Sequence, residues 1–196
     1  MIRMTPMTEA DIDAVMAIEL GSHSEPWSSK SFMEELAQPC SRILTARIPA
    51  GLFTNPSHYV SKFTTDESRA GVKPPERECI AGYICFWFVA DELQILNIAV
   101  HRAWRKRGIG RALLTCALRQ AVERQARIAV LEVRPSNMAA RRLYESLGFR
   151  AVGFRPNYYG GNNEPAILME LKLDEHRRQH QYTTEIESSN SRGMIQ

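Results

Sequence analysis

The chain has 196 residues, of which 44% are apolar, and a formal net charge of +3. This length suits one compact α/β domain with some additional chain, and the apolar fraction is sufficient for a hydrophobic core. The sequence contains no apolar run of roughly 18 residues and no apolar run behind a basic start, so we expect a cytoplasmic protein without a membrane partner. A net charge this small does not by itself indicate nucleic-acid binding.

The cysteines argue against a metal or disulfide framework. They form no C-x-x-C pair, and their spacing does not suit zinc. We expect reduced, packed thiols and no metal. The four residues are Cys40, Cys79, Cys85 and Cys116.

The start of the chain predicts a strand and two helices. Residues 2–4 are a short apolar segment typical of an edge strand, and Thr8 is expected to cap the first helix. Ser28 or Ser29 is expected to cap the second helix, which Pro39 ends. Apolar residues of the first helix recur at helical spacing at Ile12, Val15, Met16 and Leu20.

Three strands are predicted next, at residues 42–48, 80–90 and 92–100, and the last two are close enough in sequence to form a hairpin. Residues 49–78 are rich in Pro, Gly, Ser and charge, and so long a connection is uncommon inside a domain. We interpret it as an extended hairpin tip or a mobile insertion.

The second half predicts alternating helices and strands. Helices are expected at residues 108–125 and 137–147, the second closed by Gly148, with a strand at 128–133 between them. Final strands are expected at 149–154 and 166–173, and the polar tail 174–196 is expected to be disordered. Residues 1–173 are therefore predicted to form a single α/β domain with a helix-covered sheet that is mainly antiparallel at its start.

The clearest motif is the segment RKRGIGRA at residues 105–112, which follows a strand and opens a helix. Glycines there let a ligand approach the backbone, and the free N–H groups of the first helical turn favour an anion. The motif predicts phosphate binding. It is not a Walker A loop, and Leu113 stands where a dinucleotide fold needs its third glycine. A solvated basic helix start is the remaining alternative.

This motif resembles the acyl-CoA signature of the GNAT acetyltransferases, Gln/Arg-x-x-Gly-x-Gly/Ala, at Arg105, Gly108 and Gly110. The resemblance implies acetyl-CoA as co-substrate and a GNAT fold, with a mixed, mostly antiparallel twisted sheet that a bulge splays at the cofactor site. Residues 97–100 are similar to the strand that holds the pantetheine arm, where backbone N–H groups form an oxyanion hole. The implied cofactor-binding residues are Ile98, Ala99, Val100, Arg105, Lys106, Arg107, Gly108, Ile109, Gly110, Arg111 and Asn137.

Residues 131–149 resemble one subgroup, the ribosomal-protein alanine N-acetyltransferases, as do the short segments 25–28 and 157–159. The resemblance covers residues 1–48 and 79–172 but neither the insertion nor the tail. It implies that the acceptor is the N-terminal amine of a protein, specifically a small-subunit ribosomal protein that begins with alanine. We expect no nucleic-acid partner, because the basic run at residues 102–111 coincides with the glycine signature.

The same resemblance implies roles for individual side chains, each with a structural alternative. Glu132 is implied as general base, or it is an outward-facing strand residue. Tyr144 is implied as the acid that protonates the CoA thiolate, or it is a core tyrosine. Asn137 suits a helix N-cap and a cofactor contact at once. The aromatic residues in predicted loops, which bind the acceptor or pack locally, are Trp27, Tyr158 and Tyr159.

We expect direct attack of the amine on the thioester in a ternary complex. An α-amine has a pKa of about 7.7–8.0 and a lysine about 10.4, so a modest base meets a neutral α-amine more readily at pH 7. Three alternatives stay open on the sequence alone: acetylation of a lysine or small amine, a CoA-binding module without catalysis, and a nucleic-acid binder that uses residues 102–111.

Overall fold

A computed structural model describes residues 2–49, 78–160 and 164–174. Its seven strands form one sheet in the order β1-β2-β3-β4-β5-β7-β6, antiparallel except for the parallel pair of β4 and β5. The strands are β1 Arg3–Pro6, β2 Ser41–Pro49, β3 Glu78–Val89, β4 Glu92–Val100, β5 Ile128–Val133, β6 Arg150–Tyr159 and β7 Glu164–Lys172. The helices are α1 Ile12–Leu20, α2 Ser29–Ala37, α3 Ile109–Glu123 and α4 Met138–Glu145. The sequence predicted an α/β sheet that is antiparallel at its start, and the family resemblance implied the mixed, mostly antiparallel arrangement that is observed.

Local side-chain bonds set the starts of the first two helices. Ser28 accepts a hydrogen bond from the Ser31 backbone N–H at 3.1 Å and caps α2. The Thr8 backbone N–H donates to Asp11 Oδ2 at 2.9 Å across a 3-10 turn that leads into α1. Ser28 caps α2 as predicted, because its oxygen satisfies a helix N–H that lacks an intrahelical partner. At Thr8 the bond runs the other way, since the Asp11 side chain accepts from the Thr8 backbone and hydroxyl.

The buried face of α1 is rotated from the one suggested by apolar spacing. Val15 is buried as expected, but Leu20 is 63% exposed, and Ile18 and Glu19 are buried instead. Each residue of a helix turns by about 100°, so Glu19 lies one turn above Val15 while Leu20 points to solvent. A carboxylate therefore occupies the core face of this helix.

The helices cover both faces of the sheet. Phe32 of α2 and the buried side chains of α1 pack against Tyr83 and Cys85 of β3. The opposite face packs against Leu113 and Leu118 of α3. All four cysteines lie in described ranges and are free thiols, and no helix in those ranges is long and apolar enough to cross a membrane.

A bulge splays the sheet between β4 and β5. Their parallel register joins Glu92–Ile95 to residues 128–131 only. Leu96 is the extra residue of the bulge, because Ile95 pairs with Phe86 and Asn97 pairs with Cys85. Beyond the bulge, β4 remains hydrogen-bonded to β3, whereas β5 remains paired with β7 at Glu132. The resulting gap is the splay that the resemblance implied, and the candidate site lies there.

The prediction that Tyr158 and Tyr159 lie in a loop is wrong, and the predictions for two other segments concern residues outside the described ranges. Tyr158 and Tyr159 do not lie in a loop, because β6 extends to Tyr159. The predicted strand end at residue 154 was therefore wrong: the strand continues past Asn157, which has a positive φ of 50°, through an irregular register with β7. Pro49 pairs with Glu78, which makes β2 and β3 antiparallel neighbours. The predictions for residues 50–77 and 175–196 lie outside the described residues.

Candidate active site

Two cavities meet in the gap between β4 and β5. The larger, of about 520 Å³, lies against the start of α3, and the smaller, of about 180 Å³, lies toward β5 and the loop between α1 and α2. A group that reacts with ligands in both cavities has to lie at their junction. The side chains that border both are His23, Ile98, Asn137, Ala140 and Tyr144.

The larger cavity has the geometry of an anion site. Gly108 caps α3 with a left-handed φ of 80°, and a Cβ placed there would enter open space with nothing within 4 Å. Glycine therefore leaves the first turn of α3 accessible and meets no steric cost in that conformation. The cavity is also bordered by Arg105, Lys106, Ile109, Gly110 and Arg111, as the motif predicted.

The basic side chains are partly engaged with the protein itself. Arg105 donates to the carbonyl oxygens of Val100 at 3.1 Å and Gly21 at 3.3 Å, and to Ser22 Oγ at 3.0 Å. Arg105 thus ties the end of α1 to the end of β4 while its charge stays at the cavity. Arg107 stacks over the Trp104 ring at 4.6 Å, and Arg111 donates to a serine of the turn after α4 at 2.6 Å.

Gly110 and Asn137 lie where α4 meets this cavity. A Cβ on Gly110 would lie 3.3 Å from Leu143 Cδ2, so glycine there allows α3 and α4 to pack closely. Asn137 caps α4, because its side-chain oxygen accepts from the Ala140 N–H at 3.2 Å. Asn137 also borders both cavities, so the cap does not remove it from the site.

Glu132 and its neighbours form one side of the smaller cavity. Its side chain is 23% exposed, and Arg155 Nη1 lies 3.0 Å from Glu132 Oε1. Tyr158 hydrogen-bonds to Glu132, and this bond is the main reason that the pKa of Tyr158 is raised, with burial adding to it. The carboxylate faces the cavity, but it borders only the smaller one.

Tyr144 stands at the junction as a buried residue near the end of α4. Its ring contacts Phe149 at 5.9 Å between centroids. Burial, with a smaller contribution from Tyr159, raises the pKa of Tyr144 well above its ordinary value. The hydroxyl is therefore protonated at neutral pH and available as a hydrogen-bond donor.

The predicted aromatic residues are held by local packing and still reach the smaller cavity in two cases. Trp27 is half-buried in the loop before α2, against the Phe32 ring at 5.4 Å. Tyr159 lies under Arg134, whose guanidinium is 3.7 Å from the ring centroid. Burial is the largest cause that raises the pKa of Tyr159 to about 12. Trp27 and Tyr159 border the smaller cavity, whereas Tyr158 is 43% exposed and does not.

Comparison with known proteins assigns the family. The model of the Acetyltransferase (GNAT) family matches residues 13–149. The chain belongs to the GNAT acetyltransferase family. The family and fold implied by the motif are therefore confirmed.

Several relatives of this acetyltransferase carry a more specific name. It is 33% identical to a putative ribosomal protein bS18-alanine N-acetyltransferase of Bacillus subtilis over 165 residues, 84% of this chain and 91% of the relative. It is 30% identical over 172 residues to the ribosomal protein bS18-alanine N-acetyltransferase of Escherichia coli, covering 87% of this chain and 97% of that one.

Solved structures agree with the fold. The crystal structure of the Escherichia coli ribosomal-protein-S18-alanine N-acetyltransferase has a TM-score of 0.67 at 29% identity, with 88% of this chain and 94% of that chain covered. Arabidopsis thaliana NAA60 in complex with acetyl-CoA has a TM-score of 0.70 over 89% of this chain and 99% of that chain. At 17% identity the second likeness shows the fold alone.

Sequence reasoning missed two polar groups of this acetyltransferase site. Glu19 lies in the last turn of α1 and His23 lies three residues beyond the end of that helix, with His23 Nε2 3.4 Å from Glu19 Oε2. Arg134 binds Glu25 at 3.0 Å and Glu164 at 3.4 Å, which joins the loop after α1 to the β5 end and to β7. The Glu-x-x-x-His spacing was the available signal for the first pair, because the His23 backbone N–H donates to the Glu19 carbonyl oxygen at 3.0 Å and so adds one helix-like turn after α1.

Proposed function

We propose that this acetyltransferase transfers the acetyl group of acetyl-CoA to the N-terminal α-amine of a protein that begins with alanine, a small-subunit ribosomal protein. The names of the bacterial relatives support this acceptor. The larger cavity, with its open helix start and basic rim, suits the phosphates of CoA. The smaller cavity, bordered by carboxylates and aromatic rings, suits an extended peptide whose first amine carries a positive charge.

The observation that carries the proposal is the junction of the two cavities. Acetyl-CoA and acceptor enter from different sides, so the thioester and the amine can meet only at the five side chains that border both spaces. Such an arrangement supports direct transfer in a ternary complex, because no covalent intermediate on the protein is needed.

The proposed chemistry assigns three tasks to this chain. Glu132 accepts a proton from the entering ammonium, directly or through water, and the resulting amine attacks the thioester carbon. Backbone N–H groups near Val100, where the bulge frees β4 from β5, stabilise the oxyanion. Tyr144 then donates its proton to the departing thiolate, a role that suits its protonated, buried hydroxyl.

A peptide panel with intact-mass detection tests the acceptor. One peptide carries a free N-terminal alanine and no lysine, and a matched peptide has a blocked N-terminus and one lysine. On the first peptide only, we expect a mass increase of about 42 Da, which corresponds to one acetyl group in place of one hydrogen. Modification of the lysine peptide alone, or of a small amine but neither peptide, contradicts the proposed acceptor.

A further inference from the structure

The proposed reaction, on which this inference rests, leaves one proton without an acceptor. An ammonium carries three protons and the amide product carries one, so two protons must leave the nitrogen. Glu132 takes the first before attack. The second is lost after the N–C bond has formed, when the nitrogen is positively charged and lies at the junction of the cavities. A base is required at that junction, and Glu132 borders only the smaller cavity.

His23 is the basic side chain that lies at the junction of the two cavities. Of the five side chains that border both cavities, only His23 and Tyr144 can titrate. Tyr144 is protonated at neutral pH, so it is a donor. His23 therefore remains as the proton acceptor at the point where the bond forms.

The surroundings of His23 keep its imidazole unprotonated at neutral pH, so that it can accept a proton. Burial lowers its pKa below the ordinary value for histidine, and the positive charges of Arg105 and Arg134 lower it further, whereas Glu19 opposes them. The imidazole is therefore neutral at neutral pH. Its Nε2 is buried 3.4 Å from Glu19 Oε2, so the carboxylate is close enough to stabilise a positive charge on the ring.

Glu19 is held in position by groups from three other parts of the fold. Its Oε1 accepts from the Trp27 backbone N–H at 2.7 Å and from Asn97 Nδ2 at 3.2 Å, and its Oε2 accepts from the Tyr83 hydroxyl. A carboxylate that is fully buried and bonded in this way has a fixed orientation. It can stabilise an imidazolium beside it without moving.

We propose that His23 accepts the second proton from the attacking nitrogen and that Glu19 is the positioning residue that stabilises the resulting imidazolium. The amine lone pair forms the N–C bond, and the carbonyl electron pair moves to oxygen. His23 takes one N–H proton, the oxygen pair re-forms the carbonyl, and the C–S bond breaks with its electrons on sulfur. Tyr144 protonates the thiolate, and the imidazolium returns a proton to Tyr144. One proton, that on Glu132, leaves to solvent.

The test compares His23→Asn, Glu132→Gln and the wild type on the alanine peptide at saturating acetyl-CoA. We expect each variant to lose about 100-fold or more in kcat at pH 7. The loss in Glu132→Gln should shrink above the α-amine pKa of about 8, because the first proton then leaves in solution. The loss in His23→Asn should persist there, because the second proton is acidic only after attack.

The matched control is His101→Asn. His101 is a second histidine whose pKa is lowered, by burial and then by Arg102 and Arg105, and it borders neither cavity. We expect its pH–rate profile to match the wild type. A His23→Asn variant with wild-type rates, with a loss that recovers at high pH, or with a loss matched by weaker acetyl-CoA binding in calorimetry overturns the assignment.

Glu19→Gln tests the positioning role independently, because it keeps the imidazole. Removal of the carboxylate lowers the pKa of His23 further, so the acid limb of the rate profile should move to lower pH and the plateau should fall. An unmoved limb overturns the role of Glu19. A wild type that acetylates no peptide contradicts the proposed acceptor instead, and the same variants then test His23 on the amine that the enzyme accepts.

Discussion

Arg155 and Glu132 form an ion pair, 3.0 Å between Nη1 and Oε1, that joins the edge strand β6 to β5 across β7. The arginine side chain is 55% exposed, and a pair of this kind contributes about 0–1 kcal/mol to stability. Its main consequence is orientation: a cation from β6 and the Tyr158 hydroxyl fix the carboxylate at the wall of the smaller cavity. In the proposed mechanism, an incoming ammonium would therefore meet a carboxylate that is already positioned.

Glu132→Gln keeps the shape of this side chain and removes the base. We expect a loss of about 100- to 10,000-fold in kcat at neutral pH with unchanged affinity for acetyl-CoA. The fall of rate at low pH should become shallower than in the wild type. A pH–rate series with calorimetry of acetyl-CoA binding measures both. Near-wild-type turnover across the series means that Glu132 is not the base.

Tyr144→Phe keeps the ring contact with Phe149 and removes the hydroxyl. Because the pKa of Tyr144 is raised, the wild-type hydroxyl stays protonated through the basic range and adds no basic limb below about pH 10. We expect about a 100-fold or larger loss of kcat that is greatest at high pH, where solvent protons are scarce. A loss that is equal at every pH contradicts proton donation to the thiolate and leaves only a positioning role for the hydroxyl.

Gly108→Asn should weaken acetyl-CoA binding without unfolding the protein. Asparagine tolerates the left-handed backbone better than other L-residues, and its side chain would enter the open space at the start of α3. We expect at least about a tenfold rise in Kd by calorimetry, or about 1.4 kcal/mol.

The control is Gly148→Asn. Gly148 also has a left-handed φ, of 94°, but it borders neither cavity. Its thermal stability should fall while Kd stays unchanged. Equal effects of the two substitutions on Kd would show that backbone strain, and not the phosphate site, accounts for the change.

Local patterns in the sequence were sufficient to predict the order of elements and the turn that opens α3 at the larger cavity. The Gly108 turn, the Ser28 and Asn137 caps and the left-handed Gly148 each depend on a few neighbouring residues. The hairpin at residues 90–91 likewise followed from strand spacing. These features are set by backbone geometry, which short segments specify directly. The splay of the sheet, in contrast, was implied only by the family resemblance.

The Glu19 cluster could not be predicted in this way. The Tyr83 and Asn97 groups that bind Glu19 lie 64 and 78 residues away in the chain. Their meeting depends on how α1 rotates against β3, and on a nine-residue helix a one-residue error exchanges Glu19 for Leu20. The Arg155 pair with Glu132 likewise depends on the unexpected length of β6.

Removal of residues 50–77 should leave acetyl-CoA binding intact. Pro49 and Glu78 face each other in an antiparallel pair, where Cα atoms lie about 4.5–5.5 Å apart, so a short Gly/Ser bridge can connect them. All residues that border the two cavities are retained. We expect an unchanged Kd for acetyl-CoA in a folded deletion variant. Loss of that affinity would contradict the interpretation of the segment as an insertion outside the catalytic centre.

Acid should destabilise the fold partly through Asp11. Arg47 Nη2 lies 2.7 Å from Asp11 Oδ1, and Thr8 donates to Oδ2 from its backbone N–H and its hydroxyl. Burial alone would raise the pKa of Asp11, but these bonds outweigh it and hold the pKa below its ordinary value. A carboxyl with a depressed folded-state pKa stabilises the protein above its unfolded pKa, about 3.9, and loses that contribution as pH falls through the folded pKa.

We expect Asp11→Asn to lower the free energy of unfolding by about 1–3 kcal/mol, measured by urea unfolding at pH 7. The substitution should also reduce the difference in unfolding free energy between about pH 5 and about pH 3. Glu34→Gln, which removes an exposed pair with Lys30, is the control and should change stability by less than about 0.5 kcal/mol. If the wild type and Asp11→Asn lose stability equally on acidification, the Asp11 pair does not contribute to the pH dependence and other carboxyls must account for it.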